Sequence, residues 1–141
     1  MRLRPVDIEM EYTKLSLWWT ARNLPPIPKV ILRCATGMIV EHRDIDIACG
    51  WVYFDETRTL GVVDWITTNP TFSTSSCLPE AIGHLLAFFQ DFATNRGCHN
   101  LMSFVSKDTG LHRQFVKNGW QDPKSEPHIY LYHSWPLQHY P

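Results

Sequence analysis

The feature that most constrains this chain is a change of hydrophobic period within residues 64–83, DWITTNPTFSTSSCLPEAIG. An apolar, β-branched run stops at Asn69-Pro70, and small polar or thiol residues fill a short loop. A helical pattern then begins: Ala81, Ile82, Leu85, Leu86 and Phe89, with Phe92 and Ala93 beyond, share one apolar face from about Pro79 to Asn95. Pro79 suits a first helical turn and Gly97 a helix end. The next apolar run, HNLMSFVS, reads as a strand. Strand, helix and strand in that order predict a β-α-β crossover, and hence a sheet that is not wholly antiparallel.

The flanking segments fill in the rest. RLRPVDI is a short strand, and EYTKLSLWWTARN sets Tyr12, Leu15, Trp18 and Trp19 at helical spacing before ending at Asn23. In LPPIPKVILRC the three prolines Pro25, Pro26 and Pro28 remove backbone donors, so an extended loop with one helical turn is expected. GMIVEH, DIDIACGWVYFDE and TLGVVDWITTN form an antiparallel meander, with Glu56-Thr57-Arg58 as its last turn. DTGLHRQFVKNG is a short helix closed by Gly119, and HIYLYHSW a final strand. The order β-α-loop-β-β-β-α-β-α-β predicts an α/β (α+β) fold: a central mixed, mostly antiparallel sheet of about six strands flanked by helices. At 141 residues, a single domain over 1–141 is expected.

Composition narrows the functional classes. A formal charge of −1 without a Lys/Arg cluster gives no electrostatic footprint for nucleic acid. Cys34, Cys49, Cys77 and Cys98 are widely spaced and signal neither a metal site nor a disulfide framework, so reduced thiols and a cytoplasmic setting are expected. No apolar stretch approaches the roughly 20 residues needed to cross a bilayer, and no membrane partner is expected.

The loop of the crossover draws attention on its own chemistry. Loops at the carboxyl ends of such strands commonly hold ligands, and the first turn of a helix presents unpaired N–H groups that favour a phosphate. Ser73, Thr74, Ser75 and Ser76 would let that ligand approach the backbone and add hydroxyl donors. The plain alternative is a capped strand-to-helix connection that needs no ligand.

With these elements in this order, the chain resembles the GNAT superfamily of N-acetyltransferases, which move an acetyl group from acetyl-CoA to an amine. VDWITTNP is similar to the family's strand pattern I-E-x-L-x-V-x-P, with Asp64 where Glu is frequent. The family's pyrophosphate loop R/Q-x-x-G-x-G/A then falls on Ser73-Thr74-Ser75-Ser76-Cys77-Leu78, and DTGLHRQFVKNGW resembles the second motif, with Gly119-Trp120 in place of Gly-Phe. The segment YTKLSLWWTARNLPPIPKVILRCATGMIV is also similar to short phage and prophage GNAT-like proteins. Two departures stand out: the loop has neither Arg/Gln nor glycine, and Phe115 occupies the position of the tyrosine that protonates the departing thiolate.

The resemblance implies acetyl-CoA as co-substrate and an amine acceptor, small molecule or protein. It implies that Ile66, Thr67 and Thr68 pair with the pantetheine arm, that Ser73 to Leu78 hold the pyrophosphate, and that Trp18, Trp19, Arg22 and Tyr53 line the acceptor side, rimmed by Pro25, Pro26 and Pro28. Asp64, in an otherwise apolar strand, is the candidate general base; otherwise it faces solvent or pairs with an arginine. Such tryptophans are more often core residues or interface aromatics than pocket linings. His84 and His112 read as structural or surface groups. Cys77, as an acyl-accepting nucleophile, has no evident base. Tyr130 and Tyr132 are strand residues that could replace the missing acid. An active enzyme, a catalytically inactive GNAT-like binding protein and a structural part built on the same fold are all compatible with these residues, and the aromatic-rich ending HSWPLQHYP is compatible with a homodimer.

Overall fold

The computed structural model describes residues 1–72 and 76–122, with His128–Ser134 described as a strand. The elements run β1 (Arg2–Pro5), α1 (Ile8–Thr20), α2 (Lys29–Leu32), β2 (Thr36–His42), β3 (Ile45–Phe54), β4 (Gly61–Thr68), a single 3-10 turn (Pro70–Phe72), α3 (Leu78–Asn95), β5 (Asn100–Ser106), α4 (Gly110–Lys117) and β6 (His128–Ser134). The strands form one six-stranded sheet in the order β1-β2-β3-β4-β5-β6. β1 and β2 pair antiparallel from Arg2↔Glu41 to Pro5↔Met38, and β5 and β6 antiparallel from Asn100↔Ser134 to Ser106↔His128. β4 and β5, joined by the α3 crossover, are parallel. The mixed sheet and the crossover are thus as expected.

Local chemistry explains most boundaries. Pro5 ends β1 rather than letting it run to Ile8, and Asp7, in extended conformation, caps α1 by accepting from the Met10 amide at 3.3 Å. Glu11 reaches back to the Asp7 amide at 2.8 Å, so α1 starts earlier than its apolar spacing predicts. Each longer helix ends on a left-handed residue, Asn23, Gly97 or Gly119, and the next amide donates back five residues: Leu24 to Trp19, Cys98 to Ala93, Trp120 to Phe115. Arg43 and Asp44, both at positive φ, form the tight β2–β3 turn. In the β3–β4 turn the Asp55 carboxylate accepts from the Thr57 hydroxyl at 2.6 Å, the Thr59 hydroxyl at 3.1 Å and the Leu60 amide at 3.2 Å. The expected apolar face of α3 is buried at each of its main positions, Ala81, Ile82, Leu85, Leu86, Phe89 and Ala93.

Contacts group the chain into two compact units. The first comprises Met1–Trp51 and Trp65–Leu85. Its core holds Leu15, Trp18, Trp19, Leu32, Ile39, Cys49 and Trp51. The Trp51 ring lies 5.4 Å from Trp19 and 6.5 Å, edge-on, from Trp65. It passes over Gly37, where an added Cβ would stand 2.3 Å from the indole nitrogen. An ion network ties α1 to β1, β2 and β3. Arg4 donates to Glu41 at 2.5 Å, to Glu11 at 2.5 and 3.1 Å and to Asp46 at 2.9 Å. Arg2 adds a second contact to Glu41, and Lys14 bridges Glu11 and Asp46. Burial pushes the Glu11 carboxyl upward, but Arg4, the Asp7 amide and Lys14 more than offset it and hold it at about 2.

The second unit comprises Val52–Asp64 and Leu86–Pro141. Phe88 stacks on Phe92 at 5.6 Å, and Phe54 packs against Phe92 at 6.0 Å. The Arg96 guanidinium lies 4.2 Å from the Phe92 ring centre. Phe115 is fully buried, edge-on to Trp120 at 4.8 Å. Among the described residues no helix is long and apolar enough to cross a membrane, and no cluster of His, Cys, Asp or Glu could hold a metal ion.

Two outcomes are expected. Glu11 is lowered from 4.5 to about 2 on folding, so the stability it contributes is complete above pH 4.5 and is lost as pH falls toward 2. Urea-unfolding midpoints across that window should fall for the native chain and fall less steeply for Glu11→Gln, which should also be less stable at pH 7. Gly37→Ala should destabilise by about 1–3 kcal/mol through overpacking, and Trp51→Phe in the same chain should make the added methyl better tolerated, as read in the double-mutant cycle.

Candidate functional site

The site grows from the way β4 leaves β5. Gly61 and Val62 pair with Leu101 and Met102, and among the described residues the β4–β5 ladder holds only these two pairs. At Gly61 an added Cβ would lie 2.6 Å from the Leu101 side chain and 2.9 Å from Phe54, so the absence of a side chain lets these elements close together. Among the described pairs the β4–β5 ladder ends at Val62, while β5 stays paired with β6 from Asn100 to Ser106. Val63 points into the core, and Asp64 lies half-buried just beyond the last pair.

Asp64 meets Tyr53 of β3, whose hydroxyl is 3.4 Å from Asp64 Oδ2. That is long for a hydroxyl–carboxylate bond, so the contact is weak. Burial and the neighbouring carboxylate, in that order, raise the Tyr53 phenol above its ordinary value, which keeps it protonated well into alkaline solution. Two residues that the sequence analysis assigned separately, one as base and one to the acceptor side, therefore face each other.

The next residue breaks the strand's regularity. Trp65 has φ +57° within β4, a conformation that costs a bulky residue on the order of 1–3 kcal/mol and is the one a β-bulge uses. The cost is offset by packing of its ring against Trp51. Sequence reasoning missed this kink, and no local signal could have found it: a tryptophan is among the residues least expected at positive φ.

Beyond the kink, Thr67 is buried with its hydroxyl unpartnered by any described group, and its amide faces the Cys49 thiol, which burial pushes up. The Thr68 hydroxyl accepts from the exposed Arg22 guanidinium at the end of α1. Asn69 then closes the strand: its amide donates to the Ile47 carbonyl at 2.8 Å, its Nδ2 to the Asp46 carbonyl at 2.9 Å, and its Oδ1 accepts from Thr71 at 3.1 Å. Ser73, Thr74 and Ser75 lie outside the described residues. Ser76 is exposed, while Cys77 and Leu78 are half-buried at the start of α3.

The remaining expectations divide. Trp18 and Trp19 are 5% and 1% exposed and belong to the first unit's core, so burial favours the core reading over the acceptor-side one. Pro25, Pro26 and Pro28 are exposed. Phe115 is buried against Trp120 and presents nothing to solvent. His112 contacts Asp122 at 3.0 Å, and His84 pairs loosely with Glu80 at 3.6 Å, both as side-chain contacts of ordinary structural kind. Tyr130 and Tyr132 stand opposite Phe104 and Met102 in the β5–β6 register; their side chains lie outside the described residues.

Neither a family model nor a curated protein sequence matches this chain. Solved structures do. Spermidine N-acetyltransferase SpeG of Vibrio cholerae superposes with a TM-score of 0.73 at 11% identity, covering 95% of this chain and 95% of that one. Aminoglycoside 6′-N-acetyltransferase of Enterococcus faecium gives 0.73 at 10%, covering 96% and 98%. YncA of Salmonella typhimurium, solved with its cofactor acetyl-CoA, gives 0.72 at 11%, covering 95% and 93%. At such identities the likeness is one of fold, and the chain has the GNAT fold over nearly its whole length.

The Tyr53–Asp64 contact can be checked directly. Asp64→Asn removes the carboxylate charge but not the burial, so the Tyr53 phenol pKa should drop part of the way toward its ordinary value. Ring-labelled tyrosine NMR titrations of the two chains read that shift; identical titration curves would show that the contact does not form in solution.

Proposed function

We propose that this protein is an N-acetyltransferase that uses acetyl-CoA to acetylate an amine. The observation that carries the reading is the short β4–β5 ladder, whose described pairs end at Val62, with the Tyr53–Asp64 contact just beyond it. Where a strand diverges from its neighbour, an extended arm bearing amides can lie along it as an added strand. Ile66, Thr67 and Thr68 are the proposed partners of the pantetheine arm, and Ser73, Thr74, Ser75, Ser76, Cys77 and Leu78, with the first-turn amides of α3, those of the diphosphate. The donor set suits a phosphate in its hydroxyls and helix amides.

In the proposed reaction the neutral acceptor amine attacks the thioester carbonyl, the carbon–nitrogen bond forms and the carbon–sulfur bond breaks. Asp64 takes the proton from the amine, directly or through water, and β4 amides polarise the carbonyl as charge builds on its oxygen. Tyr53 stays protonated and orients the Asp64 carboxylate. A thiolate with pKa near 8.5 departs without a dedicated acid, so a phenyl ring at Phe115, which has no proton to donate, slows the step without blocking it. Asp64 favours a cationic amine at this edge, in keeping with the spermidine and aminoglycoside acetyltransferases that share the fold.

A second reading, a non-catalytic acyl-CoA-binding protein, draws support from the same buried Phe115 and from the loop that lacks arginine and glycine. Calorimetry with acetyl-CoA and turnover with a panel of polyamines and aminoglycosides separate the readings. Binding with turnover, reduced roughly 10²–10⁴-fold in Asp64→Asn at near-constant cofactor affinity, is the expected result. Binding without turnover on any amine favours the second reading, unchanged turnover in the variant removes Asp64 from the mechanism, and no binding at millimolar acetyl-CoA sinks the enzyme.

A further inference from the structure

Resting on that reading, we infer that Arg22 is the residue that supplies the positive charge for the diphosphate of coenzyme A, from the end of α1 rather than from the loop before α3. The sequence contains no lysine or arginine between Arg58 and Arg96, a span that covers β4, the loop and nearly all of α3. A doubly charged diphosphate held there by hydroxyls and helix amides alone would lack a counter-charge. The first unit brings one in from elsewhere: the Arg22 guanidinium donates to the Thr68 hydroxyl, at the carboxyl end of β4.

The state of Arg22 separates it from most cations of the first unit. Arg2, Arg4, Lys14, Lys29 and Arg33 each face a carboxylate, and Arg43 lies in the β2–β3 turn rather than at the carboxyl end of β4. Arg22 faces a neutral hydroxyl, so among the described residues its charge is not compensated, and it is exposed. One N–H engages Thr68; the rest of the planar fork is free to bind an anion bidentately, the geometry in which arginine exceeds lysine. The backbone beneath it is fixed, because α1 ends on left-handed Asn23 with the Leu24 amide bonded to Trp19. Charge also argues against placing Arg22 on the acceptor side: a guanidinium repels a cationic amine and attracts the phosphates of the donor.

The test compares three ligands on the full-length chain by calorimetry: coenzyme A, dephospho-coenzyme A and phosphate-free acetyl-pantetheine. Arg22→Gln should weaken coenzyme A and dephospho-coenzyme A alike by about tenfold or more, as expected for a charge-assisted bond, and leave acetyl-pantetheine unchanged. Arg22→Lys should recover part of the loss. Because Arg22 is exposed, the ligand-free variants should melt within a few degrees of the native chain. Equal coenzyme A affinity in Arg22→Gln and the native chain overturns the inference while leaving the proposed function standing. So does an equal loss of acetyl-pantetheine, which would place Arg22 on the thioester end, or a loss confined to coenzyme A, which would place it on the 3′-phosphate. No binding of coenzyme A by the native chain overturns the proposed function itself, and this inference with it.

Discussion

The indole of Trp51 is the contact on which the first unit depends. It lies on Gly37 of β2, beside Trp19 of α1 and against the edge of Trp65 of β4, so one side chain reaches a neighbouring strand, a helix and the strand that carries the candidate site. Aromatic pairs at these separations contribute beyond their buried area, and the preference for tilted and edge-on geometry fixes orientation as well as distance. That matters because Trp65 holds a backbone conformation it would not choose. Its strained dihedral persists because the ring has a place to go, and the kink in β4 is therefore a product of core packing rather than of local sequence.

Charge is distributed on a different plan from apolar surface. The Arg4 network gathers three carboxylates of α1, β2 and β3 around a half-buried guanidinium, and each partner is satisfied several times over. Breaking one member would leave the others short of partners, which is why such networks act as a unit. Just past the far end of α1, Arg22 meets only a hydroxyl among the described residues. The two arginines thus mark opposite uses of one residue type, one closing a structural network and the other left with donors to spare.

What the sequence made legible follows from what is local. The α3 face was readable residue by residue because a helix lying on a sheet buries one stripe, and the same period change implied the parallel β4–β5 pair. Asp64, Tyr53, Arg22 and Thr68 were each readable as candidates, but not as the pairs Tyr53–Asp64 and Arg22–Thr68, whose members are 11 and 46 residues apart. The Arg4–Glu41 link, 37 residues apart, was invisible for the same reason. Trp18 and Trp19 illustrate the converse: adjacent tryptophans on a short helix could be read as acceptor-side or as core residues, and both turn inward, where Trp51 and Leu32 provide a surface to bury them.

The strand order carries a consequence for how the chain assembles. Each strand neighbours the one before it in sequence, so the sheet can grow in the direction of synthesis, strand by strand, with tight turns closing β2 to β3 and β3 to β4 at small entropic cost. The β4–β5 junction waits for a helix of 18 residues, the longest of those between neighbouring strands, to form and pack before the next edge can dock. Topologies rich in such near-neighbour pairings fold comparatively fast. The slow joint in assembly is then the one whose ladder, among the described residues, holds two pairs, against four between β1 and β2 and seven between β5 and β6.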